Sequence, residues 1–124
     1  MYYYTLIQIA DINAKVRIFE QMENQVKGYY PVENAVDSMA YALYYYPANS
    51  AYQIKGSRGE FLMETLRRNS VQRMVATLKE RFPESCKGNS PFAWTEAYAD
   101  PRRTSVDYWR ETEWYKKWYA DMED

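Results

Sequence analysis

Histidine is missing altogether from this chain of 124 residues, and cysteine occurs once, at Cys86. The first absence removes the Ser-His-Asp and Cys-His nucleophile arrangements and histidine metal sites. It also removes the one side chain that titrates unaided near neutral pH. The second removes any intrachain disulfide, which suits a reducing compartment, and a lone thiol without a histidine partner reads as inert packing. Glycine is scarce, with Gly28, Gly56, Gly59 and Gly88 scattered along the chain. Gly56-x-x-Gly59 lacks both the strand-to-helix context and the lysine of a phosphate-binding loop. No stretch approaches the ~18 consecutive apolar residues that a bilayer crossing needs, no basic-then-apolar leader opens the sequence, and there is no Asn-x-Ser/Thr acceptor. The expectation is a soluble, cytoplasmic protein without membrane association.

Excess charge of either sign is also missing, since the formal net charge is −1. The chain is therefore neither a polycation built for nucleic acid nor an acidic mimic of it. Carboxylates are numerous, but no pair stands out as catalytic. Glu111 and Glu113 point to different faces of a helix, while Asp121, Glu123 and Asp124 form an acidic end. Oxygen-ligand metal loops lack their spacing. No metal and no cofactor is implied, and the expectation is a protein that is not an enzyme.

Against these absences stand 14 tyrosines. Three clusters are contiguous: Tyr2-Tyr3-Tyr4, Tyr29-Tyr30 and Tyr44-Tyr45-Tyr46. Successive side chains turn by about 100° in a helix and 180° in a strand, so adjacent tyrosines cannot all face a core. Some rings must lie at the surface, where tyrosine is a rigid amphipathic contact residue.

Apolar spacing predicts mostly helices. Ile9, Ile12, Val16, Phe19 and Val26 form one stripe, with Gly28 placed for a left-handed cap. The β-formers of Tyr2 to Ile7 suggest a short strand or extended arm before a helix from about Asp11, with Thr5-x-x-Gln8 as the competing capping box of one long helix. Pro31 opens a second helix bearing Val32, Val36, Met39 and Leu43, ending near Tyr45 before Pro47. A short strand follows at 51–55; a hairpin at 40–55 is the alternative. Ser57-x-x-Glu60 caps a third helix with Leu62 and Leu66 on its face. The stripe of Val71, Val75, Leu78 and Phe82 is out of phase with those leucines, so a break or sharp bend is expected at Asn69-Ser70. A loop at 84–89 leads to a short helix from Pro91 to about Ala99, with Ser90 as its cap. A last helix from Thr104 or Ser105 to about Asp121 carries Tyr108, Trp114, Tyr115, Trp118, Tyr119 and Met122 on one aromatic stripe, with Glu113 and Lys117 paired opposite. The expected fold is mainly α: a single compact domain over 1–124, about five helices with a minor β component. An α+β fold containing the 40–55 hairpin is the alternative.

Charge is segregated locally. Residues 55–81 carry seven basic groups against three acidic ones, including Lys55, Arg58, Arg67, Arg68 and Arg73 on two helices expected to be adjacent. This invites comparison with a helix-turn-helix reader, but the turn has no glycine and the second helix has few polar residues beyond Gln72 and Arg73. A solvated charged face on amphipathic helices is the favoured reading of this block. Arg67-Arg68-Asn69-Ser70-Val71 and Arg102-Arg103-Thr104-Ser105-Val106 repeat the pattern that basophilic kinases prefer, although each serine is also placed to start a helix.

The leading expectation is a non-enzymatic module that binds another protein as an inhibitor, adaptor or assembly subunit. A phage or mobile-element protein that blocks host machinery is one form of it. Its contact residues are Tyr44, Tyr45, Tyr46, Tyr29 and Tyr30, with Arg67 and Arg68 at the rim. The alternative is a nucleic-acid binder using Lys55, Arg58, Arg67, Arg68 and Arg73. Homodimerisation through the last aromatic stripe is a further outcome.

Overall fold

A computed structural model describes residues 2–44 and 58–99. They form four α-helices, α1 (Tyr2–Gly28), α2 (Val32–Tyr44), α3 (Arg58–Arg81) and α4 (Pro91–Tyr98), with a 3-10 turn at Pro83–Ser85. The protein is mainly α, and no strand occurs among the described residues. The expected strand at 51–55, the last helix with its aromatic stripe and Glu113–Lys117 pair, and the second Arg-Arg-x-Ser-Val motif lie outside them.

α2 is the centre of the packing and touches the three other helices, while α1 also lies along α3. Contacts between α1 and α3 climb in the same order along both chains. The Arg67 guanidinium sits 5.8 Å from the Phe19 ring centre, Glu23 meets Ser70 and Arg73, and the Val26 carbonyl meets Arg81. α1 and α3 are therefore parallel. α2 returns antiparallel to α1 after the tight turn at 29–31.

The α2 stripe is as expected, with Val32, Val36, Met39 and Leu43 all buried, joined by Ala35, Ala40 and Ala42. Small alanines on the flanks let α1, α3 and α4 approach closely, and each fully buried Met or Leu contributes about 1.5–3 kcal/mol of transfer free energy. Phe19, Met22 and Val26 from α1, Met63, Val71, Met74, Val75 and Leu78 from α3, and Phe92 and Trp94 from α4 complete one core.

Several expectations are corrected. The N-terminal segment is helix from Tyr2, neither a strand nor a helix opening at Thr5. β-propensity is a weak, context-dependent preference. Once a packed helix exists downstream, adding a residue to its end needs no new nucleation. Helical backbone through Tyr44 also removes the first strand of the 40–55 hairpin.

Gly28 is not a left-handed cap. It is the last residue of α1, the Tyr29 amide still reaches the Gln25 carbonyl at 2.8 Å, and Gly88 is the glycine with positive φ among the described residues.

The break expected at Asn69-Ser70 does not occur, because α3 is continuous over its 24 residues. Its buried positions are Met63, Glu64, Arg67, Ser70, Val71, Met74, Val75 and Leu78. They follow steps of three and four without interruption. The stripe looked broken only because three of its members are polar. Leu62, assigned to the core face, is exposed instead, as is Phe61.

α4 starts at Pro91 as expected, but the Ser90 side chain makes no capping bond. This helix is anchored instead by two of its aromatic side chains. The Trp94 indole donates to the Gly88 carbonyl at 2.9 Å and the Tyr98 hydroxyl to the Ser85 carbonyl at 3.0 Å, fixing the 83–90 connection against the helix. Cys86, expected as core packing, is exposed; its sulfur accepts a 3.4 Å contact from the Gly88 amide.

Candidate functional site

Where α1 gives way to α2, an open groove of about 760 Å³ is lined by Gln25, Gly28, Tyr29, Tyr30, Asn34, Asp37, Ser38 and Tyr41. Its construction follows from the turn. α1 ends at Gly28, and Asn34 ties α2 to the turn through an Nδ2 bond to the Tyr30 carbonyl at 3.2 Å. Pro31 O accepts the amides of Asn34 and Ala35 at 3.0 and 3.4 Å. On α2, Asn34, Asp37, Ser38 and Tyr41 recur every three or four residues on the side away from the buried Val36–Met39–Leu43 stripe. Three tyrosines consequently converge with their rings in solvent: Tyr29 is 46% exposed, Tyr30 77% and Tyr41 57%.

Behind Tyr30, outside the residues that line the groove, a ring and a cation are stacked. Tyr30 and Phe82 have ring centres 6.0 Å apart, and the Arg81 guanidinium covers Phe82 at 4.6 Å. Through one nitrogen Arg81 also donates to Val26 O at 2.6 Å and Tyr29 O at 2.7 Å. These bonds hold the last turn of α1 and the backbone of the groove's edge to the end of α3.

Tyr29 and Tyr30 thus stand at the surface as the contiguity argument requires. The side chains of Tyr44, Tyr45 and Tyr46 lie outside the described residues, as does Lys55. Tyr41 was not among the sequence candidates because it belongs to no cluster. Its position one helical turn after Asp37, on the polar side of α2, was the available signal.

The arginine candidates divide. Arg67 is a correction: it is fully buried, with Nε on Glu64 Oε2 at 3.1 Å and Nη1 on the Ala42 carbonyl at 2.6 Å. Its charge is consumed inside, by a carboxylate and by a carbonyl at the C-terminal end of α2, so it forms no rim and no phosphate contact. Arg68 is half-buried and engaged in interactions of its own. Arg58 is exposed.

Arg73 lies at the surface but forks onto Glu23, Nε to Oε1 at 2.6 Å and Nη2 to Oε2 at 3.1 Å. The hydrogen bond to Glu23 pushes its pKa up from arginine's ordinary value. Partial burial works the other way, and the charges of Glu23 and Glu20 reinforce the rise. Ser70 donates to the same carboxylate at 2.8 Å. Ser70 is therefore an interior hydrogen-bond donor in mid-helix and not the helix start expected from the kinase-type motif.

Among the described residues no three or more acidic, cysteine or histidine side chains gather as metal ligands. No described helix is long and apolar enough to cross a membrane. In chemical terms the described lining offers ring faces, phenol hydroxyls, two side-chain amides, a serine hydroxyl and one carboxylate, which are recognition groups. Comparison with protein-family models, with curated proteins and with solved structures finds no significant match for this chain.

Proposed function

We propose that the protein is a binding module that captures another protein in the groove between α1 and α2, with Tyr29, Tyr30 and Tyr41 as its contact residues. The observation that carries this reading is the convergence of three exposed tyrosines on one concave surface. Tyrosine buries a large area on binding at the cost of two side-chain torsions, and its hydroxyl can bond wherever the partner offers a polar atom. The surrounding helices are held by buried and bidentate contacts, so the rings are presented from a firm base and little order remains to be lost on association. An inhibitor, an adaptor and an assembly subunit, the phage form included, would all use such a surface.

The nucleic-acid alternative is weaker. It loses Arg67 to the interior, and Arg73 is already neutralised by Glu23.

The test is photo-crosslinking in the cells of origin, with p-benzoylphenylalanine placed at Tyr30, at Tyr41 and, as a control, at Glu80 on α3. Discrete protein adducts from the first two positions and not from the third are expected. They should survive nuclease treatment and disappear in a variant with Tyr29 and the unlabelled tyrosine changed to alanine. Adducts equal at all three positions, or lost on nuclease treatment, would remove the reading.

A further inference from the structure

The groove's own hydrogen bonding leaves it with donors to offer, and this deepens the reading just given, on which it rests. Backbone carbonyls along its edge are occupied from within the protein. Tyr29 O accepts Arg81, Tyr30 O accepts the Asn34 side chain, Pro31 O accepts two amides of α2, and Asn34 O accepts the Ser38 hydroxyl at 3.4 Å. Donors remain. The Asn34 side chain spends one of its two N–H groups on Tyr30 O, and the side chains of Gln25, Tyr29 and Tyr30 have no hydrogen-bond partner among the described residues. Asp37 and Tyr41 are already engaged, so the carboxylate and the Tyr41 hydroxyl are asked for nothing, and Tyr41 contributes ring surface alone.

The exposed rings of Tyr29, Tyr30 and Tyr41 are set at two levels of the groove. Tyr30 is bonded through its carbonyl to Asn34 and braced from behind by Phe82, with ring centres 6.0 Å apart. Tyr41 stands seven residues after Asn34 on α2, which is about 10 Å along a helix rising 1.5 Å per residue.

From this we infer that the groove between α1 and α2 binds a proline-rich segment of the partner protein, held in the extended polyproline conformation. Proline has no N–H, so such a segment brings carbonyl acceptors and few donors. That is the complement of an edge whose carbonyls are spent and whose amides and phenols can still donate. The pyrrolidine rings would lie on the tyrosine faces, as proline-rich ligands do in aromatic-lined grooves generally. One turn of the polyproline helix, three residues at about 3.1 Å each, advances about 9 Å. Prolines one turn apart therefore span the step from the Tyr30–Asn34 level to Tyr41. The ligand is stiff before it binds, and little of its order has to be acquired in the groove.

The experiment is an amide chemical-shift titration of the whole chain with capped decaproline, alongside a capped decapeptide of alternating glycine and serine. The second peptide matches the length, carries N–H donors and is flexible. Decaproline should produce saturable shifts centred on Gly28–Tyr30 and Asn34–Tyr41, and the glycine-serine peptide should not. Affinity should fall at least about fivefold in Tyr30→Ala and about fivefold in Gln25→Ala, the worth of one hydrogen bond. Added salt should leave it unchanged, since neither peptide is charged.

Comparable binding of the glycine-serine peptide, or an affinity for decaproline unaltered by Tyr30→Ala, would overturn the assignment of proline while leaving the groove as a binding surface. Groove shifts on concentrating the protein alone would identify a second copy of this chain as the occupant, and the proline assignment would fall. Absence of saturable groove shifts would overturn this inference by itself if adducts at Tyr30 persist in cells, and the underlying reading as well if they do not.

Discussion

The Nη1 atom of Arg81 lies 2.6 Å from the carbonyl oxygen of Val26. A residue at the end of α3 thus closes the end of α1, and Arg67, 14 residues earlier in α3, does the same for Ala42 near the end of α2. Carbonyls in the last turn of a helix are left without donors and sit at its negative end. Here they are met by guanidinium groups from a neighbouring helix where a terminal glycine or a local lysine would ordinarily serve. The two arginines therefore fix where α1 and α2 stop relative to α3, and with them the edge of the tyrosine groove.

Replacing Arg81 with methionine keeps much of the side-chain packing and removes both bonds. A loss of about 1–2 kcal/mol is expected in urea unfolding, the lower part of the range reflecting its partial exposure. Lysine, with one compact charge, should recover only part of it. Faster amide exchange at Tyr29 in the methionine variant would place the effect at the turn. A stability loss without any change there would contradict the capping role.

Glu64 and Arg67 are both fully buried and 3.1 Å apart. Removing Arg67 takes a guanidinium away from a buried carboxylate and from the Ala42 carbonyl, so Arg67→Met alone should cost about 3–5 kcal/mol. The double variant Glu64→Leu with Arg67→Met removes both charges of this pair and should be about 1 kcal/mol or more above Arg67→Met in stability, the usual margin for apolar replacement of a buried pair. Chemical denaturation of the two variants decides it. A double variant less stable than the single would show that the pair is worth more than its desolvation cost.

These same residues explain what the sequence concealed. α2 was legible because its core positions are Val, Val, Met and Leu at helical spacing, and all four are buried. α3 was misread because periodicity was sought in apolar residues alone, while Glu64, Arg67 and Ser70 continue the stripe as polar members. Their partners, Ala42 and Glu23, lie 25 and 47 residues away from Arg67 and Ser70, and no local pattern reveals pairings of that span. For the groove, contiguity was enough to bring out Tyr29 and Tyr30. Tyr41 needed the turn that folds α2 back along α1 before it could be seen beside them.

Gly88 has φ of 83°, a left-handed conformation that any side chain with a Cβ adopts at a cost of about 1–2 kcal/mol. Its carbonyl receives the Trp94 indole at 2.9 Å, so the backbone there cannot relax without releasing a buried donor. Gly88→Ala should lower stability by about that 1–2 kcal/mol. Gly88→Asn, which tolerates the left-handed region better, should lose less. A neutral alanine variant would show that the turn can change its backbone without disturbing α4. Thermal melts of the three proteins, followed by circular dichroism, separate the outcomes.

Ser70 offers a sharper contrast between motif and structure. It is fully buried and donates to Glu23 at 2.8 Å, beside the Arg73 fork. Because Arg73 is pushed above its usual pKa, its contribution is complete below arginine's ordinary range and is lost only as pH rises beyond it. No stability change from this group is therefore expected between about pH 5 and pH 10. Ser70→Ala leaves the carboxylate its two arginine bonds and should cost about 1 kcal/mol. Ser70→Asp puts a second carboxylate against Glu23 in the interior and should cost more than about 3 kcal/mol. A basophilic kinase should accordingly phosphorylate a peptide spanning Arg67 to Val71 while leaving the folded protein unmodified at Ser70. Stoichiometric modification of the native chain without unfolding would mean that α3 opens far more readily than its buried pairs imply.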